Sequence, residues 1–357
     1  MDLECWATIA EVYFEDDTIQ LLRTTNTKYP AILYKRFFPS VTKGTLIKLN
    51  HTATELGLGT GGFDLVKEVL ASKRIQENID GHIIKLRYTP MQQAMMSIEE
   101  PGSPHHSLFQ KSFTLEGKKV LLAELHSMVP LIYYLAQEVA PTITCCVIFD
   151  DSASLLLEGS QHVRLLQKEV WFHSITIGQC VGGEYEAISL PSALQFASTC
   201  LKADLIIISV GPGVVGTGTE YGHSAMEMAN WANVVGALGG CPVWIPRLSF
   251  ADKRNRHYGL SHHTITPLYS FTYCSCVLVF PLLVHEQKSL IAKQLNSNSL
   301  ATHLITYQEE PVDRDLLERA FSRIEGLTTM GRGYTDDPLF FEAVAEAVCF
   351  CIEGKTS

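Results

Sequence analysis

Residues 204–223 read DLIIISVGPGVVGTGTEYGH, an unbroken apolar run followed by a glycine-rich loop. A strand that is apolar at every position is typical of a parallel sheet covered by helices on both faces. The loop holds Gly211, Gly213 and Gly216 at the G-x-G-x-x-G spacing, and a helix rich in small residues is predicted behind it at 224–238. A strand, a glycine loop and a helix in this order are the arrangement in which backbone N–H groups hold an anion.

The alternation of apolar strands with helices continues on both sides of this unit. The pattern predicts further strands at 119–125, 142–149, 171–177, 185–188 and 242–248, and helices at 130–139, 155–169 and 191–201. Beyond residue 281 it predicts a helix at 287–294, a strand at 303–307 and helices at 313–323 and 338–351. This order indicates the α/β class, with a Rossmann-like parallel sheet.

The first 67 residues follow a different pattern, in which short β-branched and aromatic runs alternate with turns. Short strands at this spacing predict a small antiparallel β-barrel or sandwich. We therefore expect three parts: a β-rich domain (1–80), a Rossmann-like α/β domain (81–285), and a C-terminal helical extension packed on the α/β domain (286–357).

Composition excludes several functional classes. The excess of 38 acidic over 28 basic residues gives a net charge of −10, which argues against a nucleic-acid partner. The longest apolar runs fall far short of the roughly 20 residues that span a bilayer, so no membrane partner is expected. The acidic N-terminus lacks a basic segment followed by an apolar one, which predicts a cytoplasmic protein. Its cysteines lie mainly in apolar runs without zinc-knuckle spacing and are expected to be core thiols.

Polar side chains follow several predicted strands at the point where each strand ends. Because the carboxyl ends of parallel strands meet at one edge of a sheet, we expect these side chains to share a ligand site. The candidates for catalytic acid–base groups are Glu124, His126, Asp150 and His262. The candidates for anion ligands are Gly211, Gly213, Gly216, Thr217, Gly218, Thr219, Arg247 and Arg254.

Each of these interpretations has an alternative. The glycine loop can be a purely structural turn, and the basic stretch at 252–257 can be a solvated loop. A conventional NAD site is not expected, because the strand after the glycine loop carries no acid at its end for a ribose.

Two adjacent histidine pairs suggest a divalent metal. If each pair lies on a strand, one imidazole faces the site while its neighbour packs away from it. Two imidazoles combined with Glu124, Asp150 or Asp151 suit zinc, manganese or iron. The metal-ligand candidates are His105, His106 and His263. A metal-free anion or acid–base site, and histidines that are only hydrogen-bonded within the fold, are the alternatives.

Several motifs together resemble a known family along nearly the whole chain. They are LGLGTGG (56–62), KLRYTPMQ (85–92), SPHH (103–106), ELHS (124–127), GPGVVGTGTEYG (211–222), GLSHHT (259–264) and TMGRG (329–333). The sequence resembles the bacterial domain-of-unknown-function 3866 family. The resemblance implies a cytoplasmic bacterial protein and marks the shared motifs as a site, without implying a particular activity.

A weaker resemblance covers residues 142–281. The strand, the glycine loop and the later Gly259, Ser261 and His262 are similar to the selenoprotein-partner subunits of glycine and proline reductases. Those subunits form a pyruvoyl group at a cysteine within a G-N-C-V stretch. Here Gln179 replaces the asparagine before Cys180, and a second nearby cysteine is missing, so we do not expect a pyruvoyl group at Cys180.

Two functions from different classes follow from this sequence. The first is a hydrolase- or transferase-like enzyme that binds a small anionic or phosphorylated substrate at the carboxyl edge of the sheet, with metal assistance as an option. The second is a non-enzymatic module that senses a metabolite or binds a partner, as a homo-oligomer such as a dimer. The first is preferred, because crowding titratable groups at the strand ends is costly unless they act on a ligand.

Overall fold

A computed structural model describes residues 3–58, 61–70, 81–296 and 305–352. The chain forms two compact units. The first comprises residues up to 79 together with Thr89–Met91, and the second comprises residues 80–88 and the chain from Gln92 onward. Among the described residues, no helix is long and apolar enough to cross a lipid bilayer.

The first unit is a closed five-stranded barrel. Its elements are β1 (Glu4–Glu15), β2 (Ile19–Thr24), β3 (Ala31–Tyr34), β4 (Leu46–Asn50), the short helix α1 (Thr52–Glu55) and β5 (Asp64–Val69). Alternate apolar residues such as Ile9, Leu22 and Ile47 fill its interior. The strands follow the order β1-β2-β3-β5-β4.

The barrel is mixed rather than antiparallel, which corrects the sequence prediction. β3 and β5 pair in parallel, while the other neighbours are antiparallel. The reason is the order of the strands. In the chain β4 comes between β3 and β5, but in the barrel β5 lies between β3 and β4 and therefore pairs with β3. A pattern of short strands and turns does not reveal such a crossover.

The second unit contains an eight-stranded sheet and two small ribbons. The ribbons pair β6 (Ile83–Lys85) with β7 (Gln93–Met95), and β14 (Leu248–Ser249) with β15 (Gly259–Leu260). The sheet strands are β8 (Lys119–Leu122), β9 (Cys145–Asp150), β10 (Phe172–Thr176), β11 (Tyr185–Glu186), β12 (Leu205–Val210), β13 (Cys241–Trp244), β16 (Cys276–Pro281) and β17 (Ile305–Glu310). Their order is β11-β10-β9-β12-β8-β13-β16-β17, and every neighbouring pair is parallel.

Helices cover both faces of this sheet, as apolar strands require. They are α2 (Met128–Val139), α3 (Gln161–Leu166), α4 (Leu190–Thr199), α5 (Glu227–Ala237), α6 (His262–Phe271), α7 (His285–Asn296), α8 (Arg314–Ser322) and α9 (Pro338–Ile352). One core joins α2, α3, α8 and α9 to strand residues such as Val147 and Ile207, and the other joins α4 to α7 to residues such as Ile148 and Ile208. The α/β class is therefore confirmed.

The connections change direction between β8 and β12. The chain leaves β8 through α2 on one face, and it leaves β12 through α5 on the other face. Ligands of open parallel sheets bind outside the carboxyl ends of strands at such a point. β12 separates β8 from β9, so the order departs from the 3-2-1-4-5-6 arrangement, and a Rossmann-like identity stays a prediction.

Candidate metal centre

Three histidines meet outside the carboxyl edge of the sheet. One ring nitrogen from each of His223, His262 and His263 lies within 4.8 Å of the other two, and this is the only such group of potential metal ligands in the described ranges. The rings of His223 and His263 stack with centroids 4.0 Å apart and planes inclined by 10°. The centroid of His262 lies 4.5 Å from that of His263.

The start of α6 places two of these rings. Ser261 caps the helix, since its hydroxyl accepts a hydrogen bond from the backbone N–H of His263 at 3.1 Å. On a strand, one imidazole of the pair would face away from the site. Neighbouring residues on a helix are only about 100° apart, which lets both rings reach the same point.

The glycine loop supplies the third ring by folding back on itself. Gly216 pairs with His223 in an isolated antiparallel bridge, and Ser224 N–H donates to the carbonyl of Val215 at 2.9 Å. The helix after this loop therefore starts well beyond Gly216, with a 3₁₀ turn from Ser224 to Met226 before α5. In this structure the glycine loop holds His223 in place, and anion binding by this loop stays a prediction.

The hydrogen bonds of these rings leave nitrogens free to accept a ligand. Nε2 of His223 donates to the carbonyl of Glu220 at 3.1 Å, so Nδ1 carries the lone pair, and Nδ1 is buried without a partner. Nδ1 of His263 donates to Oε1 of Glu124 at 2.9 Å, so the lone pair lies on Nε2. Nε2 of His262 is also buried without a hydrogen-bond partner.

Glu124 holds His263 in place from the end of β8. Its Oε1 also accepts a hydrogen bond from Nη1 of Arg247 at 2.9 Å, and both charged side chains are buried. Burial alone raises the pKa of Glu124, but the Arg247 guanidinium and the His263 ring bring it down to about 2. A carboxylate that orients the far nitrogen of a histidine is the usual outer support of a metal-binding imidazole.

The imidazoles of His223 and His262 are neutral at physiological pH. Burial lowers the pKa of His223 and of His262 to about 4, and the neighbouring His263 contributes to both shifts. Metal ligation requires the neutral form of histidine. His257 lies at the edge of the cluster with its ring centroid 4.9 Å from that of His263, and its Nδ1 is 2.7 Å from the Ser261 hydroxyl.

Four of the eight predicted anion ligands are engaged elsewhere. Arg247 holds Glu124, and Arg254 binds Asp252 through Nε and Nη2. The hydroxyls of Thr217 and Thr219 lie 2.9 Å from each other. The remaining anion candidates are the loop glycines, namely Gly211, Gly213, Gly216 and Gly218.

Two of these glycines pack closely against their neighbours. A Cβ on Gly216 would lie 3.2 Å from Nε2 of His263, and a Cβ on Gly211 would lie 2.8 Å from the carbonyl of Ser154. The cation nearest the loop is Arg256, whose Nη1 lies 3.7 Å from the Cβ position of Gly218. Arg256 is exposed, and its charge helps to lower the pKa of His262.

Three of the predicted histidines lie outside the cluster. Nδ1 of His126 donates to the carbonyl of Val210 at 3.2 Å, and its Nε2 lies 2.6 Å from the Ser160 hydroxyl that caps α3. His105 packs against Phe196 of α4 with ring centroids 4.8 Å apart. His106 donates from Nδ1 to the carbonyl of Glu99 at 2.8 Å.

The prediction of a metal ligand set is corrected accordingly. His263 is in the cluster, whereas His105 and His106 belong to a segment that packs on α4 before the first sheet strand. His262, predicted as a catalytic group, lies among the potential ligands. Asp150 lines a separate cavity that is described below.

His223 is the member of the cluster that sequence reasoning did not select. His223 lies 13 residues beyond the end of β12 at Val210, so its position relative to a strand did not mark it as a site residue. The available signal was the glycine loop, because a loop that must approach another backbone or ring closely places its last residue against that neighbour.

The fold and the site define this chain as an α/β protein with a cluster of three histidines at the carboxyl edge of a parallel sheet. Residues 30–348 match the family described as "Protein of unknown function (DUF3866)", and the chain belongs to that family. The resemblance noted from the sequence motifs is thereby confirmed. No curated protein and no solved structure matches the chain.

Proposed function

We propose that this protein is a metal-dependent enzyme, in which His223, His262 and His263 bind one divalent transition metal ion, preferably zinc. The observation that carries the proposal is the convergence of three ring nitrogens, of which the His223 Nδ1 and the His262 Nε2 are buried without partners. A buried polar atom without a partner is costly, so a cluster of them calls for a ligand.

Three histidines leave a coordination position open, as in catalytic rather than structural zinc sites. A metal held in this way lowers the pKa of a bound water and polarises a substrate oxygen. Glu124 orients His263, and the position at the carboxyl edge is the one that Rossmann-like sheets use for ligands. This chemistry favours hydrolysis, with group transfer as the alternative.

The substrate in this proposal is small and anionic. Arg256 is exposed beside the glycine loop and has no ion pair among the described residues, so it is available to bind an anion next to the metal. Arg247 and Arg254 are not free for this role, because each is bound to a carboxylate.

Zinc binding tests the metal centre directly. The chain, stripped of metal and titrated with zinc against a competing chelator, is expected to bind about one equivalent. His223→Gln and His262→Gln are expected to lower the affinity by more than the roughly 10–100-fold that loss of an outer support costs. His285→Gln, at the exposed start of α7, is the control and is expected to bind as the parent does. Equal affinity in all variants would contradict the proposal.

A glycine variant tests the geometry of the centre without removing a ligand. In Gly216→Ala the new Cβ would lie 3.2 Å from Nε2 of His263, so the ring must move. We expect about tenfold weaker zinc binding, since metal–ligand distances tolerate only about 0.2 Å. Gly333→Ala is the control, because its Cβ would meet its nearest neighbour, Oδ2 of Asp336, at 3.7 Å. Unchanged zinc affinity in Gly216→Ala would place the metal away from His263.

A measurement of catalytic turnover distinguishes the proposed enzyme from the alternative, a non-enzymatic binding module. The zinc-loaded protein is to be assayed with small phosphate and carboxylate esters, and Arg256→Gln is expected to raise the KM. A protein that binds zinc and is stabilised by an anion, but hydrolyses none of these esters, would favour the metabolite-sensing module.

A further inference from the structure

A cavity with a volume of about 230 Å³ lies beside the ends of β9 and β10. Space of this size is large enough for several water molecules or for a small organic ligand. The cavity is lined by Asp150, Ile177, Gly178, Ile188, Ser189, Leu190, Glu227, Asn230, Trp231 and Val234. It contains none of the three histidines of the metal centre.

The cavity carries negative charge without a counter-ion. Asp150 and Glu227 line it, and no described lining residue is basic. Asp150 accepts a hydrogen bond from the backbone N–H of Ser152 at 2.8 Å, and Glu227 accepts one from Nδ2 of Asn230 at 3.0 Å. The hydrogen-bond partners of both carboxylates are neutral groups.

Burial raises the pKa of both carboxyl groups. Repulsion from Asp151 adds to the shift in both, and the charge of Asp150 acts on Glu227 as well. A cation in the cavity would remove this cost, because an opposite charge favours the ionised form of a carboxyl group.

A buried donor in the same cavity gives an independent indication of a ligand. The side chain of Trp231 is 2% exposed, and its Nε1 has no hydrogen-bond partner of normal geometry. Trp231 lines the cavity, and its indole interacts with Asp150 and lowers the pKa of that carboxyl group. A buried donor without a partner is costly, and an acceptor on a ligand would satisfy it.

We propose that this cavity binds a small primary amine that also carries a hydroxyl or carbonyl oxygen, with Asp150 and Glu227 as the counter-ions of its ammonium group. The oxygen accepts a hydrogen bond from Nε1 of Trp231. The apolar side chains of Ile177, Ile188 and Val234 contact the aliphatic part of the amine. These walls favour an organic cation over a hydrated magnesium or calcium ion, which needs oxygen ligands around it. The inference is independent of the metal centre.

Calorimetric titration of the full-length protein tests this site. The probes are 3-aminopropan-1-ol, propylamine and propane-1,3-diol, with magnesium and calcium chloride as further arms. We expect the amino alcohol to bind most tightly, propylamine more weakly, and the diol not to bind. Asp150→Asn and Glu227→Gln are each expected to weaken amine binding by about tenfold or more, the value of one charge-assisted hydrogen bond. Glu286→Gln, an exposed first-turn glutamate of α7, is the matched control for Glu227→Gln.

Thermal unfolding without ligand shows whether these variants fold. Because the folded protein disfavours the charge of both carboxyl groups, the neutral amides are expected to have a Tm equal to or above that of the parent. Weaker amine binding with an undiminished Tm supports the proposal. Binding of the diol as tight as that of the amino alcohol, binding of magnesium or calcium alone, or no binding of either amine would overturn it.

Discussion

Arg247→Met is expected to destabilise the protein by about 3–5 kcal/mol, the usual cost of leaving one partner of a buried ion pair without the other. Arg247 and Glu124 are both buried, and Nη1 of Arg247 lies 2.9 Å from Oε1 of Glu124. Without the guanidinium, Glu124 keeps only the hydrogen bond from His263 in a site that water does not reach. The measurement is the free energy of unfolding from urea denaturation of the metal-free protein.

Two further variants make this result specific. Glu124→Gln combined with Arg247→Met removes both charges, and glutamine still accepts the hydrogen bond from Nδ1 of His263. We expect the double variant to recover most of the lost stability. Arg319→Met breaks an ion pair with Glu138 in which Arg319 is 56% exposed, and it is expected to cost less than about 1 kcal/mol. A double variant as unstable as Arg247→Met alone would show that the guanidinium acts through packing rather than charge.

The apolar runs of the sequence predicted the sheet well because each strand of a covered parallel sheet is buried on both faces. β12, for example, occupies 205–210 of the predicted 204–210, and all six of its residues are buried. The order of the strands was not predictable in this way. β12 lies between β8 and β9 because of how the helices pack on the two faces, and a local pattern does not contain that information.

The candidate site, like the sheet, was predictable from the sequence only in part. Glu124, Arg247 and His263 follow strands or begin a helix at the predicted edge, and the structure brings them into contact. His223 reaches them only because the glycine loop turns back at Gly216, and this path depends on contacts between distant parts of the chain. The sequence also does not show whether a histidine nitrogen is free to bind a ligand or already has a hydrogen-bond partner. His126 is an example, because both of its ring nitrogens have partners within the fold.

Lys85→Met is expected to cost at least as much stability as Arg247→Met, because Lys85 has more partners. Its side chain is fully buried, and Nζ lies 2.8 Å from Oε2 of Glu186. Nζ also donates to the carbonyls of Thr176 at 3.1 Å, of Cys180 at 2.7 Å and of Ala187 at 3.4 Å. The variant leaves a buried carboxylate without its counter-ion and three carbonyls without this donor, for an expected loss of about 3–5 kcal/mol or more in the free energy of unfolding.

The double variant Lys85→Met with Glu186→Gln distinguishes charge from hydrogen bonding. Removal of both charges is expected to recover only part of the loss, since the carbonyls of Thr176, Cys180 and Ala187 still lack the ammonium group. This contrasts with the Arg247 and Glu124 pair, where the side chain of Arg247 makes no such backbone contacts among the described hydrogen bonds. Lys288→Met, which breaks a surface ion pair with Glu309, is the control. Full recovery in the Lys85 double variant would mean that Lys85 serves only to neutralise Glu186, and that the β6–β7 ribbon does not depend on its bonds to the chain around Cys180.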